Sequence, residues 1–104
     1  MNTILYSEAP SMQNQHGVDV RKMYEDDKIQ VLQICLKPGD FIEKHSMPLD
    51  VIFYILEGKG IVSIGNEDKE VTQDILITSP AKLERGWKNI GDTPLRILVT
   101  KIQN

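Results

Sequence analysis

The chain reads as an all-β domain, a sandwich or barrel of short antiparallel strands. Three observations carry this reading. Apolar residues fall in short runs, most clearly Ile29–Lys37, Val51–Leu56 and Leu95–Ile102. Turn signals interrupt the runs at short, regular spacing: Pro38-Gly39, Glu57-Gly58-Lys59-Gly60, Gly65-Asn66-Glu67-Asp68, Ser79-Pro80-Ala81 and Asn89 to Pro94. No segment sustains a 3.6-residue amphipathic period, and there is no internal repeat.

Taken in order, Thr3 to Tyr6 is expected to be a short edge strand ended by Pro10, and Ser11 to Gly17 a polar loop with His16 as a solvated residue. Val18, Val20 and Met23 open a weakly alternating strand, and Glu25-Asp26-Asp27-Lys28 is a charged turn. That turn lacks the glycine and the acidic spacing of a calcium loop. Ile29 to Lys37 is a strand with Leu32, Ile34 and Leu36 on one face and Val31, Gln33 and Cys35 on the other. Cys35 is expected to be a buried, inert thiol, since no cation or helix N-terminus nearby lowers its pKa.

A strict period of two puts Phe41, Glu43, His45 and Met47 on the inner face and Ile42, Lys44 and Ser46 on the outer one. Pro48 ends that run. Val51, Phe53 and Ile55 face one side of the next strand, and Ile52, Tyr54 and Leu56 the other. Apolar character on both faces fits a strand packed on two sides. Ile61–Ile64 and Lys69–Thr72 flank a hairpin turn. Asp74–Thr78 and Leu83–Lys88 are short strands, the second holding Arg85 and Trp87, and Leu95–Ile102 closes the chain.

With 104 residues the chain is expected to form one domain, residues 1–28 giving N-terminal strands and a loop and residues 29–102 the barrel. Twelve basic against fifteen acidic side chains give a net charge of −3, and no basic patch points to nucleic acid. One cysteine excludes an intrachain disulfide and suits a reducing compartment. With no signal-like start and no run near the roughly 20 apolar residues of a membrane span, a cytoplasmic location and no membrane partner are expected. A domain of this size buries only about 60–70% of its unfolded surface, so a homodimer is expected as well.

The spacing of particular residues resembles that of the cupins, small jelly-roll β-barrels of two antiparallel sheets. The first cupin motif runs from a glycine through His-x-His and a glutamate to a second glycine. Here Gly39 is followed after five residues by His45, Met47 takes the second histidine slot, Val51 the glutamate slot, and Gly58 closes the motif. In the second motif Asp74 and Lys82 stand in glycine slots, Pro80 and Asn89 are kept, and Arg85 replaces the histidine. The resemblance covers about residues 29–102 and implies the cupin fold.

It does not imply the usual cupin metal. Of four ligand slots only His45 is kept, Val51 donates nothing, and Arg85 is a permanent cation where the metal charge would sit. No metal site and no cofactor are therefore expected, although His45 with Glu43 is a conceivable makeshift pair. The inward positions instead describe a small-molecule pocket made by Glu43, His45, Met47, Phe53, Arg85 and Trp87. It would be apolar and aromatic, with a carboxylate, an imidazole and a guanidinium converging on it. The reading is a metal-free cupin that binds a small molecule, an anion being one option, or serves a non-catalytic role, Arg85 in the latter case pairing with Glu43. The alternative is a cupin enzyme working through His45, metal-dependent or metal-free, of dioxygenase or isomerase/epimerase type. Whether any reaction is catalysed is left open.

Overall fold

A computed structural model of the chain describes residues 1–103 and shows nine strands in two antiparallel sheets. The strands are β1 (Asp19–Glu25), β2 (Ile29–Leu36), β3 (Phe41–Ser46), β4 (Asp50–Glu57), β5 (Lys59–Ile64), β6 (Glu67–Thr72), β7 (Leu76–Ser79), β8 (Glu84–Asn89) and β9 (Leu95–Ile102). One sheet has the order β1-β2-β9-β4-β7 and the other β3-β8-β5-β6. This is the jelly roll expected, except that the two sheets are not hydrogen-bonded into a closed barrel. No helix among the described residues is long and apolar enough to cross a membrane.

The strand boundaries follow the turn chemistry. Gly58 lies at φ +91°, where a side chain is strained, and a Cβ there would stand 2.4 Å from the Pro94 carbonyl oxygen. The β4–β5 reversal therefore packs directly on the residues leading into β9. Asn89 fastens the same end. Its Nδ2 donates to the Leu36 and Thr93 carbonyls, both at 2.9 Å, and its Oδ1 accepts from Gly91 N–H. These bonds give the Asn89 and Gly58 of the motif spacing a structural role.

The first residues differ from expectation. Thr3 to Tyr6 is not a strand. Tyr6–Glu8 form a 3₁₀ turn in which Glu8 N–H donates to the Leu5 carbonyl at 2.9 Å. Tyr6 explains the difference, because its side chain has partners that an edge strand would not supply. The hydroxyl donates to Asp19 at 2.7 Å, and the guanidinium groups of Arg21 and Arg96 lie over its ring at 5.5 and 5.3 Å. Pro10 to Met12 cover the β1 edge instead, through a bridge from Ser11 to Arg21. Cys35 is half-buried rather than buried, and burial pushes its thiol pKa up, which keeps it in the unreactive form.

The core is graded from end to end. Leu36, Ile55, Val71, Leu95 and Ile97 are fully buried and fill one end. Towards the other end the same strands carry Leu32 and Ile34, Val51 and Phe53, and Val99, which line a void instead of closing it.

Candidate functional site

The void is a cavity of about 300 Å³ between the two sheets. Inner-face residues of β2, β4 and β9 form one wall and Ile42, Arg85 and Trp87 the other. Phe53 and Trp87 meet edge to face across it, with centroids 5.1 Å apart and planes at 75°. That contact is worth about 0.5–1.5 kcal/mol beyond area burial and fixes the indole plane. The polar groups come from His16, His45, Arg85 and Lys101 together with loop amides, and among the described residues no aspartate or glutamate lines the cavity.

Strand β3 reaches the site through a bulge. Its register with β8 runs Phe41↔Lys88 and Ile42↔Trp87, then shifts to His45↔Arg85. Gly86 makes room for the one extra residue, since Glu43 and Lys44 both stand opposite it and a Cβ there would lie 2.9 Å from the Ile42 carbonyl oxygen and 3.1 Å from Lys44 N. The shift corrects the strict alternation expected for this strand. Ile42 is the buried inner residue, whereas Phe41 and Glu43 are exposed. Glu43 therefore does not join the cavity, and no ion pair links it to Arg85 among the described residues. It stands at an outer cleft shared with His16 and His45. The other five pocket residues read from the sequence, His45, Met47, Phe53, Arg85 and Trp87, do line the cavity.

Arg85 is 5% exposed and held entirely by neutral groups. Nε donates to the Ser79 hydroxyl, and Nη2 donates to the carbonyls of Leu49, of Pro80 at 2.8 Å and of Ser79 at 3.3 Å. Among the described residues Nη1 is buried without a partner, and so is the indole Nε1 of Trp87. A buried N–H left unpaired costs about 1–3 kcal/mol, so these two donors mark a place where acceptors are missing. Burial lowers the Arg85 pKa and the charge of Asp50 opposes this, yet a guanidinium stays protonated in either case. The Asp50 carboxylate itself accepts from Ala81 N–H at 2.7 Å.

His16 is not the solvated residue expected. Asn14 shapes its loop, donating to the Val18 carbonyl at 2.8 Å and accepting from His16 N–H at 3.1 Å. The His16 ring thereby lies 5.1 Å from that of His45, tilted by 37°. Burial and the neighbouring His45 hold the His16 pKa below its ordinary value, against the pull of Glu43. His45 Nδ1 lies 3.1 Å from the Glu43 carbonyl, which can only accept, so Nδ1 carries the proton and Nε2 is the basic nitrogen of the neutral ring. Sequence reasoning missed His16, Ser79 and Lys101. The sequence held a signal for Lys101, which continues the inward phase of Leu95, Ile97 and Val99. The alternating burial of Met12, Asn14, His16, Val18 and Val20 is seen only in the folded chain.

These residues do not fit a cupin-type metal. Among the described residues no three of His, Cys, Asp or Glu gather closely enough to hold an ion, and the guanidinium beside His45 brings a positive charge to that place.

Residues 32–101 match the family model for the cupin domain. An uncharacterized protein of Methanocaldococcus jannaschii is 45% identical over 47 residues, which make up 45% of this chain and 38% of that protein, so the match spans well under half of the relative. Among solved structures, a predicted oxalate decarboxylase from Thermotoga maritima superposes with a TM-score of 0.88 at 20% identity, over 99% of this chain and 100% of the other. A cupin from Shewanella frigidimarina described as RmlC-like gives 0.86 at 13%, over 100% and 92%. A polyketide cyclase from Streptomyces resistomycificus gives 0.86 at 17%, over 100% and 80%. At such identities the likeness is one of fold.

Proposed function

The chain belongs to the cupin family, and from that premise we propose that it binds a small organic anion, a carboxylate on a flat apolar body, in the hollow end of its sandwich. The observation that carries the reading is the pair of buried donors without partners, Arg85 Nη1 and Trp87 Nε1, on side chains that line a cavity without a lining carboxylate. The charge of Arg85 and the spare donors beside the cavity call for a carboxylate. The aliphatic and aromatic walls call for an apolar remainder, and about 300 Å³ is the small end of the usual range for ligand pockets.

Trp87 is the only tryptophan of the chain, so its fluorescence reports on the cavity alone. Titration with benzoate is expected to give a saturable change that benzamide and benzyl alcohol do not give. Absence of a response to benzoate and to other small aromatic carboxylates at millimolar concentration would overturn the reading.

A proton-transfer enzyme is a second reading, favoured by the fixed tautomer of His45 and the second imidazole of His16 beside it. Exchange of the C–H next to a bound carboxylate, followed by NMR in heavy water and lost in His45→Gln, would support it. No exchange above the solvent rate would remove it. As part of the main reading the protein pairs with a second copy, supported by half-buried Ile52, Tyr54 and Leu98 on the outer face of the five-stranded sheet. Light scattering that gives the mass of a single chain would count against that pairing.

A further inference from the structure

Lys101 is a lining cation whose chemistry neither reading uses. It lies on β9 opposite Val51, itself a cavity residue, and continues the inner face of Leu95, Ile97 and Val99. Among the described residues its side chain has no hydrogen bond and no ion pair. Among the described residues the cavity therefore holds two cationic side chains, Arg85 and Lys101, and no lining carboxylate. Two like charges in a poorly solvated space repel, and the one that can shed its proton relieves the repulsion. A guanidinium cannot do so; an alkylammonium can. Burial first, and the Arg85 charge second, do hold the Lys101 pKa below its ordinary value. The imidazoles of His16 and His45 line the same cavity and add no negative charge, and Asp50 acts on Arg85.

A lysine amine with a weakened hold on its proton, in one cavity with a guanidinium able to hold an anion, is the arrangement that captures carbonyl compounds. We propose that Lys101 forms a reversible imine with an oxo acid, a ketone or aldehyde that carries a carboxylate. The proposal rests on the anion-binding reading, because the carboxylate held near Arg85 is what brings the carbonyl to the amine. The Nζ lone pair adds to the carbonyl carbon while the C=O π pair moves to oxygen and takes up a proton, giving a carbinolamine. Loss of that hydroxyl as water, with a proton leaving nitrogen, gives the imine. Nothing is oxidised or reduced, and hydrolysis reverses the step.

The test treats the full-length protein with benzoylformate or 3-benzoylpropionate, which place the carbonyl at two distances from the carboxylate, and adds cyanoborohydride as the hydride source. Peptide mass mapping is expected to find one secondary-amine adduct, on Lys101, formed at least about tenfold faster than on any other lysine. Excess benzoate should suppress it, and Lys101→Met should lack it. Competition by benzoate uses the parent protein, so the outcome does not depend on the variant folding. If both acids change Trp87 fluorescence yet adducts are absent or scattered over other lysines, the imine proposal falls and anion binding stands. If neither these acids nor benzoate changes Trp87 fluorescence, the anion-binding reading falls and takes the imine with it.

Discussion

Ser79 holds the Arg85 guanidinium at two points, taking Nε on its hydroxyl and Nη2 on its backbone carbonyl at 3.3 Å. With the carbonyls of Leu49 and Pro80, this uses the planar fork on one side and leaves Nη1 unbonded. Lysine has the charge but not the fork. Arg85→Lys is therefore expected to weaken benzoate binding by at least about tenfold, or about 1.4 kcal/mol. A titration of Trp87 fluorescence checks this, and an affinity within twofold of the parent would show that charge alone suffices.

Gly39 and Gly58 have nearly the same backbone, φ +87° and +91°, but different surroundings. A Cβ at Gly39 meets nothing within 4 Å, whereas at Gly58 it strikes the Pro94–Leu95 backbone. Gly39→Ala should thus cost about 1 kcal/mol from backbone strain alone, and Gly58→Ala about 2 kcal/mol or more, since overpacking adds to strain. Urea denaturation of the two variants measures the difference. Equal losses would mean that the close approach to Pro94 does not matter.

Lys82 is a lysine in the left-handed region, at φ +74°, with its N–H donating to the Met47 carbonyl at 3.0 Å. Glycine keeps that bond and removes the strain of about 1–2 kcal/mol, at an entropic cost of about 0.4–1 kcal/mol. Lys82→Gly is expected to raise the melting temperature by a few degrees, which calorimetry reads directly; a lower melting temperature would contradict the strain.

The folded state disfavours the charged form of His16, so between its folded pKa and the unfolded value of 6.5 the unfolded chain binds more protons. Stability is then lost as pH falls through that window. The parent should lose more stability than His16→Gln between pH 7.5 and 5.5, and parallel losses in denaturant titrations would exclude His16 as the cause.

Turn residues and two-sided apolar runs made most strands legible. β9 was read to its observed ends, and β4 lies within a residue of them. Asp74 and Lys82, standing in glycine slots of the motif spacing, keep the glycine conformation at φ +69° and +74° without the glycine. The spacing thus carried backbone geometry where residue identity had been lost. Glu43 was misplaced because alternation was counted through a bulge, whose mark in the sequence is Gly86 on the partner strand. The strand read at Asp74–Thr78 begins at Leu76, because Asp74 turns the chain and donates its N–H to the Ile55 carbonyl. His16 escaped notice because nothing near it in sequence shows that Asn14 would fold its loop over β3. Hydrogen bonds between distant segments, such as Arg85 to Leu49, leave no local trace at all.

The graded core divides labour along each strand. Amides near Leu36, Ile55 and Ile97 sit where opening the chain means losing the whole fold, whereas those near Leu32, Val51 and Val99 border empty space and can open locally. Hydrogen exchange should accordingly slow along a single strand from one end to the other. The same division lets the cavity wall change side chains, and with them its ligand, while the sealed end continues to guarantee folding.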